Sequence, residues 1–126
     1  MTENELAHIV FKTGMHVHKS LGPGLLESVY EECMYYDLQK LNLKVSRQQK
    51  IPIKYNGVTL QSILRADIII NDKLLLELKS VRELNDIHMA QTLTYLKMTD
   101  IKLGLLINFN ETLFKHGVRR VINGYL

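Results

Sequence analysis

The chain has 126 residues, of which 46% are hydrophobic and 23% charged, values typical of one folded domain spanning residues 1–126. Its one cysteine, Cys33, excludes an intrachain disulfide. No apolar run approaches the length of a membrane span and the polar start does not resemble a signal peptide, so we expect a cytoplasmic protein without a membrane partner. The net charge of +3 permits a polyanionic partner without requiring one.

Two helices are predicted at the start of the chain. Apolar residues recur at spacings of three and four over Leu6–Leu21, which predicts an amphipathic helix. Gly22–Gly24 ends it, and a second helix is predicted from about Leu25 to Leu41. Cys33 lies in this second helix, where we expect a buried and unreactive thiol.

The hydrophobic period then changes to two, which predicts a β-hairpin. Residues 51–55 and 58–60 alternate apolar and polar side chains, and Asn56-Gly57 between them favours a tight turn. Pro52 suits an edge strand because it has no backbone N–H to donate. The expected cross-strand pairs are Tyr55 with Val58 and Ile53 with Leu60.

Continuous apolar runs predict further strands that are buried on both faces. Two of them are Leu64–Ile70 and Leu74–Lys79. Asn85 or Asp86 could cap a helix that runs to Met98, residues 101–109 predict a buried strand, and residues 113–122 a short final one. The order of these elements predicts an α/β fold with a mixed central sheet flanked by helices.

Three charged residues interrupt the apolar strands. Asp67 lies in the first run, and Glu77 and Lys79 lie two apart in the second. Burying such groups is costly unless they pair or bind something. Two carboxylates suit a hard cation such as Mg²⁺, and a lysine beside them can steady a water molecule or a phosphate charge. A cross-strand ion pair on a half-exposed sheet would account for the same residues.

The turn between the two strands decides whether the carboxylates meet. A two-residue turn would pair Asp67 with Leu76 and separate the two acids. A three-residue loop, Asn71–Lys73, would instead pair Asp67 with Glu77. A metal site needs the second register, so we predict it, with Lys73 or a neighbour in a left-handed conformation.

Two helices carry further candidate residues. Gln91 and Tyr95 are four apart on the third predicted helix and therefore share a face. Glu27 lies near the start of the second helix, where the helix dipole alone would also favour an acid. A polar, partly exposed helix face would also account for Gln91 and Tyr95.

Taken in this order, the residues resemble the PD-(D/E)xK nuclease superfamily, and its RecB-like branch in particular. The matching motifs are Asp67, the ExK of Glu77–Lys79 and the QxxxY of Gln91–Tyr95. The segment Gly24–Tyr30 also resembles the family named for its GxxExxY motif. Ala66 stands where the superfamily has a proline before its aspartate.

The resemblance implies a restriction-endonuclease-like core and a bound Mg²⁺ or Mn²⁺ ion. It implies that Asp67, Glu77 and the backbone carbonyl of Leu78 are the metal ligands. The other roles it implies are water positioning by Lys79, support of the metal or its waters by Glu27, and orientation of the lysine or substrate by Gln91 and Tyr95.

A metal-dependent nuclease acting on DNA or RNA is the first hypothesis for function. A non-catalytic module of the same fold, binding nucleic acid or a protein, is the second. A third is an oligomer whose polar site binds a small phosphorylated ligand. A homodimer joined through the first helix or the last strand would give a nuclease two sites for a duplex.

Overall fold

Three helices and five strands make up the fold, and the computed structural model describes all residues 1–126. The helices are α1 (Glu3–Leu21), α2 (Glu27–Gln39) and α3 (Asp86–Thr99). The strands are β1 (Val45–Tyr55), β2 (Val58–Ile70), β3 (Leu74–Lys79), β4 (Leu103–Asn108) and β5 (Val118–Ile122). A short 3₁₀ turn, Phe114–Gly117, precedes β5 inside the segment predicted as one final strand.

The five strands form one mixed sheet in the order β1-β2-β3-β4-β5. Only β3 and β4 run parallel, and α3 connects them. A core cluster of 17 buried residues packs α1 and α2 against one face, and a second cluster of seven packs α3 against the other. This is the predicted α/β architecture with a restriction-endonuclease-like core, in which helices cover both faces of the sheet.

Side-chain caps define where α1 and α3 begin. The Thr2 hydroxyl accepts from the Glu5 amide (3.1 Å), and the Glu5 carboxylate accepts from the Thr2 amide (2.9 Å). Asn85 and His88 form the same reciprocal box at the predicted start of α3. His88 is thereby engaged in capping. None of the helices combines the length and the apolar character needed to cross a bilayer.

The second helix is anchored by its apolar side. Tyr30, Met34 and Leu38 recur at spacings of four and are fully buried against the sheet. Cys33 is half-buried beside them, less enclosed than predicted. Burial, followed by the charges of nearby acids, raises the pKa of its thiol. A thiol that stays protonated is a poor nucleophile, which agrees with the predicted unreactive role.

The hairpin departs from the prediction beyond its turn. Tyr55 pairs with Val58 as expected, but residues 58–60 and 64–70, predicted as separate strands, belong to the single strand β2. The ladder shifts register between Pro52 and Lys54, so the predicted pair of Ile53 with Leu60 is not formed. At this bulge β2 has more residues than β1 between consecutive pairs. A prediction from strictly alternating apolar and polar residues does not include such a bulge. The edge position predicted for β1 is confirmed.

The hairpin also exchanges its faces at Gln48 and Asp67. Ile68 packs in the core on the side of α1 and α2, whereas Ala66 packs in the core on the side of α3. Strict alternation would put both on one face. Gln48 and Asp67 drop out of the ladder, although the pairs before and after them keep one register. The left-handed backbone of Gln48 (φ 52°) produces the local twist that re-aims these side chains.

The loop between β2 and β3 sets the predicted register. Ile70 pairs with Leu74 across a three-residue loop, and continuing this ladder brings Asp67 opposite Glu77. Two loop residues, Asn71 and Asp72, have left-handed φ values of 53° and 54°, whereas Lys73 does not. The prediction of a strained position at Lys73 or a neighbour is therefore confirmed at the neighbours. Asn and Asp accept this conformation more readily than other residues.

Candidate active site

The carboxylates of Asp67 and Glu77 meet where β2 and β3 separate. Asp67 Oδ2 accepts a hydrogen bond from the Leu78 amide (2.7 Å), and the Asp67 amide donates to Glu77 Oε1 (3.3 Å). Glu77 is only 7% exposed, and Asp67 is half-buried. The two acids that are predicted to share a metal site therefore lie side by side in a corner of the sheet, and only Glu77 is buried from water.

Both acids resist ionisation in this corner. Burial raises the pKa of Glu77 to about 8, and the charge of Asp67 contributes further. Burial also raises the pKa of Asp67, while the hydrogen bond from the Leu78 amide opposes the rise. Two adjacent ionised carboxylates repel each other at low dielectric, so the site favours a proton or a cation between them.

Lys79 lies at the end of β3, two residues after Glu77. Burial dominates the rise in the pKa of Asp67 and Glu77, and the positive charge of Lys79 opposes that rise only in part. The ion pairs of the protein are Lys44 with Asp72 and Arg47 with Glu31, so the Lys79 ammonium is not locked to either acid within 4.0 Å. The Phe109 amide donates to the Lys79 carbonyl (2.9 Å), which fixes its backbone against β4.

A tight loop sets the position of α2 over the site. Gly24 has a left-handed φ of 95°, which glycine adopts at no steric cost. The Tyr30 hydroxyl donates to the Gly22 carbonyl (2.6 Å) and accepts from the Leu25 amide (3.1 Å). The Tyr30 ring also stacks on Phe109 with centroids 4.4 Å apart. The first and last residues of the GxxExxY segment thus hold the loop that precedes Glu27.

Glu27 reaches the carboxyl end of β3 from the first turn of α2. Its Oε2 accepts from the Ser80 amide (3.3 Å), and the Ser80 hydroxyl donates to the Leu25 carbonyl (2.5 Å). These contacts tie the start of α2 to the residue that follows Lys79. Glu27 is exposed, so its carboxylate can meet solvent or a ligand.

A cavity of about 250 Å³ lies between α2 and the strands β1, β2 and β3, and two of its acid and amide residues, Glu31 and Gln48, were not predicted from the sequence. Its lining residues are Glu27, Ser28, Glu31, Gln48, Asp67 and Leu78. Glu31 lies one turn after Glu27, a spacing that could have identified it. Nothing in the sequence indicated a role for Gln48 in the site, because a polar residue on an edge strand ordinarily faces water.

Asn108 is a third residue that sequence reasoning missed. It is completely buried at the end of β4, and its side chain accepts from the Val81 amide (3.0 Å) and donates to the Val81 carbonyl (2.9 Å). Asn108 is opposite Lys79 in the parallel ladder. Asn108 could have been noticed in the sequence, because it is the polar residue that ends the apolar run of β4. Its amide orders the chain immediately after the candidate site.

The third helix brings Tyr95 toward the acids. Tyr95 is half-buried, and its pKa is raised by burial first and then by the charges of Glu77 and Asp67. Gln91 lies one turn earlier on α3 and is exposed. The roles predicted for Tyr95 and Gln91 stay predictions, since a shared helix face settles neither a contact nor a chemical step.

The donor set fits a hard divalent cation. No three His, Cys, Asp or Glu side chains converge closely enough to hold a metal by themselves. Asp67 and Glu77 supply two adjacent carboxylates, and the amide of Leu78 is bonded to one of them. Mg²⁺ is commonly held by one or two carboxylates, with waters and substrate phosphate completing its shell. This pair therefore suits Mg²⁺ better than a metal that needs nitrogen or sulfur ligands.

Similarity to known proteins identifies the family of this chain. No curated protein matches the chain significantly. A solved structure entitled "Crystal structure of SSO0001" is similar over 95% of this chain and 78% of that one, with 16% identity and a TM-score of 0.47. The family model of the PD-(D/E)XK nuclease superfamily matches residues 4–121. Because that match covers nearly the whole chain, the protein belongs to the PD-(D/E)XK nuclease superfamily.

Proposed function

We propose that this protein is a metal-dependent nuclease that hydrolyses phosphodiester bonds in DNA or RNA. The observation that carries the proposal is the contact between half-buried Asp67 and buried Glu77, with Lys79 two residues further along β3. Its family membership supports the same conclusion. Within the superfamily, the segment Gly24–Tyr30 and the QxxxY on α3 favour the RecB-like branch and its GxxExxY members.

Asp67, Glu77 and the Leu78 carbonyl are the groups that would hold Mg²⁺ or Mn²⁺. Burial raises the pKa of Glu77 and the charge of Asp67 adds to that rise, so a cation between the two acids would remove the repulsive part. When bound, such an ion supplies Lewis acidity toward a phosphate oxygen and lowers the pKa of water. A lysine or arginine side chain between the two acids would also neutralise their charge. It could not bind a phosphate oxygen or a water molecule as a metal ion does.

The remaining residues act on the water and the phosphate. Lys79 orients the attacking water and offsets the negative charge that grows on the phosphate oxygens in the transition state. Water adds to phosphorus and one ester oxygen leaves, which yields a phosphate monoester and a hydroxyl. Glu27 holds waters at the mouth of the cavity, and Tyr95 and Gln91 orient Lys79 or contact the substrate backbone.

The hairpin of β1 and β2 offers a path for the nucleic-acid backbone. Ile51 and Ala66 pack on the side of α3, so Lys50 and Arg65 point to the opposite side. That is the side on which α2 approaches Asp67. Lys50 and Arg65 are paired across the strands and exposed, and Arg65 precedes Asp67 by two residues. Such cations suit phosphate groups entering the site.

A cleavage assay on Lys79→Ala tests the proposal. The variant should keep its affinity for Mn²⁺ and lose about 100-fold or more of its cleavage rate, because Lys79 acts on the transition state. Lys102→Ala is the matched control, because Lys102 is an exposed lysine far from the candidate site. It precedes the start of β4, whereas Lys79 lies at the end of the adjacent parallel strand β3. Single-stranded and duplex DNA and RNA are supplied with Mg²⁺ or Mn²⁺.

Two results would contradict the nuclease proposal. Equal cleavage by wild type and Lys79→Ala would assign the activity to another site or to a contaminant. Nucleic-acid binding by the wild type without cleavage of any substrate would favour the non-catalytic module instead. Asp67→Asn provides a second check, because losing one carboxylate should abolish metal binding while the hydrogen bond from the Leu78 amide is kept.

A further inference from the structure

We propose that Gln48 is a positioning residue, which holds the Asp67 carboxylate in place for metal binding. The inference rests on the proposed function, because it assigns Asp67 to the metal. Gln48 lies on β1 and reaches Asp67 across the hairpin. It belongs to none of the motifs that carry the family resemblance.

The Gln48 amide bridges two acids. Its Nε2 donates to Asp67 Oδ1 (3.1 Å) and also to a carboxylate oxygen of Glu31. Ionised carboxylates only accept hydrogen bonds, so the NH₂ end of the amide must face both. Asp67 Oδ2 meanwhile accepts from the Leu78 amide (2.7 Å). With both oxygens engaged from different directions, the plane of the Asp67 carboxylate is fixed.

Glu31 provides a rigid anchor for the amide. It is only 7% exposed, and its second oxygen accepts from Arg47 Nε (3.2 Å). The Arg47 guanidinium in turn lies over the Tyr35 ring, 5.6 Å from its centroid. The position of Gln48 is therefore set from α2. A neutral amide orders Asp67 without neutralising it, which leaves its negative charge available to a cation.

The backbone of Gln48 is a second, independent observation. Six non-glycine residues have left-handed φ values: Asn42, Gln48, Asn56, Asn71, Asp72 and Asp100. Five of them are Asn or Asp, the residues that tolerate this conformation best, and they lie in turns or at a helix end. Gln48 alone is a longer side chain, and it lies inside a strand. Strain kept at such a position is characteristic of functional sites.

The left-handed backbone explains how the amide reaches the acids. At Gln48 the hairpin exchanges its faces, so that Arg47 and Gln48 both meet Glu31, although successive strand residues normally point apart. An ordinary strand conformation would turn one of the two side chains to the side of α3. The strain therefore brings both donors to a single carboxylate.

Two variants separate the amide from the backbone. Gln48→Gly keeps the left-handed conformation and removes the side chain, whereas Gln48→Leu keeps the bulk and removes the amide. Gln49→Leu is the control, because Gln49 is the adjacent exposed glutamine and bonds only to Ser46. We expect Mn²⁺ affinity, measured by calorimetry, to fall about tenfold or more in both Gln48 variants and to stay unchanged in the control. Wild-type affinity in Gln48→Gly would overturn the inference and leave Gln48 a purely structural role.

A metal-free measurement keeps this inference separate from the nuclease proposal. Three-bond NMR couplings of the Asp67 side chain should report one χ1 rotamer in the wild type and averaged values in both Gln48 variants. If the wild type binds no metal, the proposed function fails, while these couplings still show whether Gln48 orders Asp67. A single Asp67 rotamer in Gln48→Leu and Gln48→Gly would overturn the inference.

Discussion

Replacing Glu77 by glutamine should stabilise the metal-free protein at pH 8 and change it little at pH 5. Glu77 is 7% exposed, and its pKa rises from the ordinary 4.5 to about 8, by burial first and then by the charge of Asp67. Glutamine has nearly the same shape and no charge. Its carbonyl can still accept the hydrogen bond from the Asp67 amide.

The sign of the pH dependence follows from the two states of the carboxyl group. Folded Glu77 keeps its proton up to about pH 8, whereas the unfolded chain releases it near pH 4.5. The folded state therefore binds more protons in this window, and the free energy of unfolding falls as pH rises. This stability is present in full below pH 4.5 and is lost as pH rises through about 8.

The magnitude comes from the width of that window. Each pH unit changes the free energy of unfolding by about 1.4 kcal/mol, so the full window gives about 5 kcal/mol at most. Burial raises the pKa of Asp67 as well, so the contribution of Asp67 to the pH dependence has the same sign. A loss of this size is a large part of the stability of an ordinary domain.

Urea unfolding in EDTA between pH 5 and pH 8 measures the effect. The wild type should lose stability across this range, and Glu77→Gln should lose much less. Glu83→Gln, at an exposed position, should follow the wild type. Adding Mg²⁺ at pH 8 should stabilise the wild type and not Glu77→Gln, because only a folded site with both carboxylates binds the ion. A flat wild-type profile, or equal slopes in both proteins, would refute the reasoning.

The remaining predictions concern the substrate path and the packing beside the site. Lys50→Ala and Arg65→Ala should each weaken nucleic-acid binding and reduce the salt slope of its affinity by about one, without changing metal affinity. Fluorescence anisotropy at several salt concentrations measures this, and unchanged slopes would place the backbone elsewhere. Gly117→Ala should destabilise the fold by about 2 kcal/mol, because its new methyl group would overlap the Asn108 carbonyl oxygen. A urea midpoint equal to that of the exposed control Lys115→Ala would contradict the overlap.

Local patterns predicted most of the elements and the meeting of the acids. Asn85 marked the start of α3 because a side-chain cap depends only on residues three apart. A three-residue loop between β2 and β3 was predicted because only that register brings Asp67 opposite Glu77. The structure has this loop, since Ile70 pairs with Leu74. The homodimer stays a prediction, since contacts within one chain do not determine it.

Long-range contacts limited the other predictions. The continuity of β2 depends on a bulge beside Pro52, where extra residues enter one strand without disturbing the pairs at the turn. The exchange of faces at Gln48 depends on a single left-handed φ. An alternating pattern contains neither feature, because it assumes that every residue turns by the same amount.

The sequence by itself determined the three charged residues on which the candidate site is built. Asp67, Glu77 and Lys79 were recognisable because burying a charge in an apolar strand is unfavourable unless the charge is paired or binds a ligand. Only the tertiary structure decided what surrounds them. Gln48 lies 19 residues and Glu31 lies 36 residues before Asp67 along the chain, and the packing of α2 and the twist of the hairpin bring them to it. Their contacts depend on three-dimensional proximity, which spacing along the chain does not specify.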